Sequence, residues 1–211
     1  MKQYLTIEKY PGKEVLVEEP ESEYGFTYAD YLTWNFKERI ELIRGKIFKM
    51  SPAPTVKHQV ILFNLSAFFI KKKIGSTCQM LYAPVDVRLK GKSFRKKKRR
   101  DDEITTVVQP DIIVVCDTSK LEDNRCIDGA PEMVIEILSP GNTKTETKYK
   151  LDLYEENGVL EFWMVHQEYK TVEVFLLKDD AYGKPVFYEM GDKIPCTVLK
   201  GLKVPVTEIF K

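Results

Sequence analysis

The stretch Gln109-Pro110-Asp111-Ile112-Ile113-Val114-Val115 decides the fold, and the run Met133-Val134-Ile135-Glu136-Ile137-Leu138 has a similar design. Both runs are apolar enough to form buried strands, yet each contains one acid, Asp111 or Glu136. A carboxylate inside a sheet loses much of its hydration unless a cation, a metal ion or a dense set of hydrogen bonds compensates it. Two such acids in one sheet therefore predict a metal site.

The bulk composition is that of an ordinary globular protein. The chain has 211 residues, of which 43% are hydrophobic and 31% are charged, and this is enough for one well-filled core. We expect an N-terminal arm over residues 1–25, which are rich in Glu, Pro and Tyr, and a single domain over residues 26–211. The net charge of +1 gives no global attraction to polyanions, so any affinity for nucleic acid must come from a local patch.

Targeting signals and cysteines narrow the cellular setting. The chain has no run of apolar residues long enough to span a membrane, and its start lacks the apolar segment of a signal peptide. We therefore expect a cytoplasmic protein with no membrane partner. Cys78, Cys116, Cys126 and Cys196 are widely spaced and form no C-x-x-C pair. This spacing favours reduced thiols, with Cys116 as plain core at the end of a strand.

Periodicity and turn residues place the main elements. Gly45 joins two strands of a hairpin, Thr55 caps a long helix that ends in Lys71-Lys72-Lys73, and a second helix extends to about Asn157. Further strands are expected near residues 79–83, 85–89, 106–116, 133–138, 160–165 and 171–177. This order predicts an α/β or α+β fold in which helices flank a central mixed sheet, with additional antiparallel strands.

Several short motifs carry a resemblance to a known family. They are Glu41-Leu42-Ile43-Arg44-Gly45-Lys46-Ile47, Ser51-Pro52 to His58, Ala83-Pro84-Val85-Asp86-Val87-Arg88-Leu89, Gln109-Pro110-Asp111, Ala130-Pro131 through Glu136 to Ser139-Pro140, Lys150 to Tyr154, and Gly158-Val159 to Phe162-Trp163. Over residues 25 to 211 the chain resembles the Uma-type restriction endonuclease family, formerly a domain of unknown function, within the PD-(D/E)XK nuclease superfamily. The resemblance implies a restriction-endonuclease-like core.

One residue departs from the superfamily pattern. The lysine expected two residues after the second acid is Leu138 here, and the resemblance implies that the lysine lies in the following helix. At about 100° per residue, Leu153, Lys150, Tyr154 and Leu151 follow one another around one arc of that helix. A lysine among core-facing residues needs an acidic partner, for which Asp111 and Glu136 are the candidates. The alternative is a solvated Lys150 paired with Glu146.

The chemistry that suits these residues is metal-assisted hydrolysis of a phosphodiester. Oxygen ligands from Asp111 and Glu136, with a backbone carbonyl such as that of Ile137, favour Mg²⁺ or Mn²⁺ over a softer metal. Such a metal ion acidifies a bound water and polarises the phosphate. The resemblance implies that Lys150 orients this water or stabilises the transition state, and that Glu41 completes the acidic cluster.

The other candidate residues have competing structural explanations. Asp86 is a candidate further metal ligand because its strand should run close to that of Asp111, but Asp86 and Glu41 could also lie on the solvent face of ordinary strands. Asp111 could simply shape a strand entrance. Further residues that could line the site are His58, Gln59, Gln109 and Tyr154.

A basic run is the best candidate for contact with a phosphate backbone. Arg95, Lys96, Lys97, Lys98, Arg99 and Arg100 lie between two expected strands, near Lys90. Such a run would supply affinity for DNA without reading sequence. It could equally be solvated, or be neutralised by the acids at positions 101–103 that follow it.

Two functions from different classes fit the sequence. The first is a metal-dependent DNA endonuclease. The second is a non-catalytic module that keeps the nuclease fold and binds nucleic acid or protein. We expect a homodimer in either case.

Overall fold

This computed structural model describes residues 4–9, 13–18, 25–34, 39–50, 53–72, 78–91, 100–139 and 144–211. The strands are β1 (Tyr4–Lys9), β2 (Lys13–Glu18), β3 (Ile40–Ile43), β4 (Lys46–Lys49), β5 (Gln79–Tyr82), β6 (Asp86–Arg88), β7 (Val107–Val108), β8 (Ile112–Val115), β9 (Cys126–Asp128), β10 (Met133–Leu138), β11 (Glu161–His166), β12 (Thr171–Lys178), β13 (Ala181–Tyr182), β14 (Val186–Tyr188), β15 (Lys193–Pro195) and β16 (Lys203–Pro205). The helices are α1 (Tyr28–Tyr31), α2 (Val56–Lys71), α3 (Lys144–Asn157) and α4 (Val206–Ile209).

The central sheet is mixed. Its strands follow the order β13-β12-β11-β10-β8-β5, and β14 also pairs with β12. The β10–β11 pair is parallel, with α3 as the crossover between them, whereas β8–β10, β5–β8 and β11–β12 are antiparallel. The predicted class, a mixed sheet with flanking helices and added antiparallel strands, is confirmed.

Both faces of the central sheet are covered, which explains why its strands are apolar almost throughout. Side chains alternate between the faces: Ile135 and Trp163 pack in one cluster with α2, while Val134 and Phe162 pack in another with α3. Glu136 belongs by alternation to the α3 face, because it lies two residues from Val134. In a strand covered on both faces, an acid at this position needs a cation or hydrogen-bond donors close by.

A second sheet has the order β4-β3-β7-β6-β9. The predicted hairpin around Gly45 is confirmed as the antiparallel pair β3–β4, with Arg44 and Gly45 both at positive φ, 50° and 74°. Two residues of positive φ are what a tight hairpin turn requires. The turn fixes the register of β3 and therefore the position of Glu41.

The expected single strand over residues 106–116 is wrong. It is divided into β7, in the second sheet, and β8, in the central sheet, and the chain crosses between them at Gln109-Pro110-Asp111. Pro110 has no N–H to offer a strand ladder, so it suits this crossing. Asp111 consequently stands at the entrance of β8, at the junction of the two sheets.

The N-terminal segment and the long helix α2 each differ in part from the expectation. Residues 1–25, expected as an N-terminal arm, include the antiparallel pair β1–β2. The long helix after Thr55 is confirmed, but one set of its apolar side chains is exposed rather than buried, namely Val56, Val60, Phe63 and Ile70. No helix in the described ranges is both long and apolar enough to cross a membrane.

The expectation of four reduced cysteines is also wrong. Cys78 and Cys116 form a disulfide, whereas Cys126 and Cys196 are free and buried. The register of β5 against β8 pairs Gln79 with Val115. Continuing this register by one residue sets Cys78 opposite Cys116. Because the two cysteines are 38 positions apart in the sequence, only the strand pairing reveals that they meet.

Glu161 is a further acid within a buried strand, and its partners give it a structural role. Glu161 in β11 is 0% exposed and accepts a hydrogen bond from Trp163 Nε1 at 2.8 Å. The backbone N–H groups of Thr197 and Val198 donate to its other oxygen, each at 2.8 Å. The carboxylate therefore ties the segment after β15 to the central sheet.

We expect Glu161→Gln to lower the free energy of unfolding by about 1–3 kcal/mol, because an amide donor would face backbone donors. Urea unfolding followed by circular dichroism measures this. The control is Glu189→Gln at an exposed position, which should leave the midpoint unchanged. Equal midpoints for both variants would show that the Glu161 network contributes nothing.

The cysteine pairing predicts a mass-spectrometric pattern. Alkylation of the denatured, unreduced protein should modify two thiols, and prior reduction should raise the number to four. In the native state both free thiols should react slowly, because burial raises the pKa of Cys126 to about 11 and that of Cys196 to about 12 and the thiolate is the reactive form. Four adducts without reduction would contradict the pairing.

Candidate active site

Elements of both sheets and two helices contribute side chains to one place. Glu41 comes from β3, Asp111 from the entrance of β8, and Glu136 from β10, while His58 and Lys150 come from α2 and α3. The register of β10 against β8 pairs Ile135 with Ile112. Continuing it by one residue sets Glu136 opposite Asp111, so both carboxylates lie on the same face.

Lys150 and Glu136 form the centre of this cluster. Lys150 Nζ lies 2.9 Å from Glu136 Oε1 and 3.6 Å from Glu41 Oε1. The Tyr154 hydroxyl donates to the same Glu136 oxygen at 2.6 Å. Lys150 and Tyr154 are neighbours on the predicted helical arc, so a single turn of α3 delivers both donors to one buried acid.

Asp111 is held by a different pair of donors. Its Oδ2 accepts the backbone N–H of Ile137 at 2.8 Å and lies 3.1 Å from His58 Nε2. Because a carboxylate only accepts, Nε2 carries the hydrogen of this bond. Thr55 caps α2 by accepting from the N–H of His58 at 3.2 Å, which fixes the first turn of the helix beside Asp111.

Glu41 is buried, not on a solvent face. It is 5% exposed, and its Oε1 accepts the backbone N–H of Gln109 at 3.0 Å. The same oxygen is the one nearest to Lys150. Glu41 therefore connects the crossing between the two sheets to the lysine of α3.

The cluster is electrostatically unbalanced, with three carboxylates close to one ammonium group. Burial raises the pKa of Glu136 to about 7; Lys150 opposes this rise, and Asp111 and Glu41 add to it. Burial lowers the pKa of Lys150, but the charges of Glu136 and Glu41 outweigh burial and hold it above its usual value. Lys150 is therefore charged and faces three carboxylates; two further cations, Arg39 and Lys49, line the same cavity.

Asp86 has its own set of hydrogen-bond donors, one of which, Gln109, also binds Glu41 of the cluster. Its carboxylate accepts from Tyr28 at 3.2 Å, from Tyr31 at 3.1 Å and from Gln109 Nε2 at 2.8 Å. The strand of Asp86, β6, pairs with β7 and β9 in the second sheet, whereas Asp111 stands at the entrance of β8 in the central sheet. Its role as a metal ligand stays a prediction.

A cavity of about 290 Å³ opens onto the cluster. Of the predicted residues it is lined by Glu41, His58, Gln59, Asp111, Glu136 and Lys150. Gln109 and Tyr154 stand behind this lining, where they bind Glu41 and Glu136 through hydrogen bonds. Arg39 and Tyr149 also line the cavity but were not predicted as site residues. Their positions next to β3 and next to Lys150 could have indicated them.

The basic run falls mostly outside the described residues. This applies to Arg95, Lys96, Lys97, Lys98 and Arg99. Arg100 is described; it is exposed and pairs with Asp102 at 2.9 Å, as the neutralisation alternative expected. Lys90 is buried and forms an ion pair with Asp128, so it is not part of a solvent-facing patch.

The chain is similar to a curated protein sequence and to a solved structure. The chain is 25% identical over 185 residues to the "Uncharacterized protein slr1290" of Synechocystis sp., which covers 86% of this chain and 90% of that protein. Its fold resembles the crystal structure of "a putative nuclease belonging to DUF820" from Anabaena variabilis, with a TM-score of 0.67 and 20% identity. That similarity covers 88% of this chain and 97% of the other, and it concerns the fold alone.

Residues 28–207 match the family model described as "Uma2: Putative restriction endonuclease". This range contains every residue of the cluster and both sheets that position it. The chain belongs to the Uma2 family.

Proposed function

We propose that the protein is a metal-dependent nuclease that hydrolyses phosphodiester bonds in DNA. The observation that carries the proposal is the cluster itself, in which Glu136 and Asp111 of neighbouring strands share one cavity with the charged Lys150. A hydrolytic site for a phosphate needs this combination of anionic ligands and a nearby cation.

A divalent metal ion suits the residues present. Among the described residues, no group of three or more His, Cys, Asp or Glu side chains is arranged to hold a metal on its own. Mg²⁺, however, is commonly bound by one or two carboxylates, with waters and substrate phosphates as the remaining ligands. Asp111 and Glu136 are the residues that would hold Mg²⁺ or Mn²⁺, whose chemistry is to acidify water and polarise the phosphate.

The protein side chains have distinct roles in this proposal. Lys150 places a positive charge beside the reacting phosphate, where negative charge builds up during hydrolysis. Tyr154 and Glu41 orient that ammonium through their contacts with Glu136 and Lys150. His58 and the N–H of Ile137 hold Asp111 by one oxygen, which directs the other toward a ligand.

One observation favours the second candidate, a binding module without catalysis. Glu136 Oε1 already receives both Lys150 and Tyr154, so this oxygen is compensated without a metal. A module of this kind would bind DNA in a salt-dependent manner and leave it intact. The predicted homodimer stays a prediction in both cases, and the exposed apolar residues of α2 are where an interface would be sought.

Substitution of the cluster should remove hydrolysis without unfolding the protein. We expect Asp111→Asn, Glu136→Gln and Lys150→Met each to lower the cleavage rate on DNA by about 100-fold or more. The rate is measured by gel assay with Mg²⁺ and with Mn²⁺. Glu189→Gln and Lys184→Met, at exposed positions, are the matched controls. Undiminished cutting by all three cluster variants would refute the proposed site, and intact DNA with the unmodified protein would favour the binding module.

Metal binding offers a measurement that does not depend on turnover. The unmodified protein should withdraw Mn²⁺ from solution, as read from the electron paramagnetic resonance signal of the free ion. Asp111→Asn should weaken this binding at least about 10-fold because one of two protein ligands is lost, whereas Glu189→Gln should not. Equal binding by both variants would exclude Asp111 as a ligand.

A further inference from the structure

A second cavity, of about 540 Å³, lies beside the candidate active site. It lies between α3 and the central sheet, on the sheet face that carries Glu136. Leu138 and Ser139 line both cavities. A small void of about 10 Å³, lined by Glu136, Lys150 and Met164 among others, lies between them, so the two cavities are neighbours on one face of the sheet.

Strand register fixes how far apart the two cavities are. Glu136 pairs with Met164, and Met164 pairs with Glu173, so all three side chains lie in one row on one face. Neighbouring strands are about 4.8 Å apart, which sets Glu173 roughly 10 Å from Glu136. This is close enough for neighbouring parts of one bound strand of nucleic acid.

The lining of the second cavity combines four kinds of side chain. Met164 and Phe175 are buried and apolar, and His166 pairs with Glu173 at 3.1 Å. Lys148, which the helical arc excludes from the Lys150 face, is exposed and lines this cavity. Tyr169, at the turn between β11 and β12, is 77% exposed.

We propose that this cavity binds an unpaired nucleobase adjacent to the scissile phosphate, so that the substrate is single-stranded or locally unpaired DNA. The proposal rests on the nuclease function proposed above for the neighbouring site. Tyr169 supplies a face for stacking, the His166–Glu173 pair supplies hydrogen-bonding groups for the base edge, and Lys148 supplies a charge for the backbone.

The requirement for an unpaired base follows from the shape of the site. In a duplex the bases are stacked and paired, and only their edges are accessible in the grooves. A base can enter a concave cavity only after it leaves the stack, which is least costly where the strand is already single. Tyr169 at the rim and the apolar floor suit a base because every base has a flat π-face that can stack on an aromatic side chain.

Fluorescence anisotropy with a labelled 12-nucleotide single strand and the matching duplex tests this inference. Binding is measured in Ca²⁺, with gel analysis to verify that the DNA stays intact, and cleavage is measured separately in Mg²⁺. The single strand should bind at least about 10-fold more tightly than the duplex, and Tyr169→Ala should weaken single-strand binding about 10-fold. Tyr169→Phe should retain it because the stacking face remains.

The controls separate base binding from general effects. Met190→Ala removes an apolar side chain that is 49% exposed and lines neither cavity, and should leave binding unchanged. The same measurement is made with single strands that each lack the base at one position. For one of these strands, the unmodified protein and Tyr169→Ala should bind equally, because the base that Tyr169 contacts is missing. Circular dichroism checks that each variant is folded.

The outcomes distinguish this inference from the proposed function. Equal affinity for single strand and duplex, or the same loss with Tyr169→Ala on intact DNA and on every abasic strand, would overturn the inference even if the protein cuts DNA. Tyr169-dependent binding of the single strand, with no cleavage under any metal, would support the base site and reject the nuclease.

Discussion

The contact between Lys150 and Glu136 is the interaction on which the candidate site depends. Glu136 lies in a strand that is covered on both faces, so its charge is tolerable only with a cation and hydrogen-bond donors close by. One turn of α3 supplies both, through Lys150 and Tyr154. Because α3 is the crossover from β10 to its parallel neighbour β11, the fold itself brings the helix across the acid, and the site is a consequence of this connection.

The crossing at Gln109-Pro110-Asp111 is the second constraint. The chain leaves one sheet and enters the other there, and each residue of the crossing contacts the site differently. The N–H of Gln109 binds Glu41, Pro110 interrupts the ladder, and Asp111 receives His58 and Ile137. Both sheets and α2 therefore meet at one short segment, which explains why an acid at a strand entrance is held by a helix side chain and by the backbone of the neighbouring strand.

Glu161 shows that an acid within an apolar run does not by itself indicate a functional site. Like Glu136, it is an acid within a buried strand, yet its donors are Trp163, two backbone N–H groups and the Cys196 thiol, and no cation contacts it among the described residues. The two acids differ only in what packs against them. An acid in an apolar run thus predicts compensation, but the identity of the compensating group separates a structural carboxylate from one in a candidate site.

The sequence by itself determined several local elements: the hairpin at Gly45, the two long helices, and the arc of α3 that turns Lys150 toward the core. These follow from local sterics and periodicity, which neighbouring residues fix. Only the tertiary structure decided the pairings across long stretches of chain, namely His58 with Asp111, Cys78 with Cys116, and Asp86 with Tyr28 and Tyr31. Such contacts depend on strand order and register, because these set which distant residues become neighbours, and no local pattern encodes them.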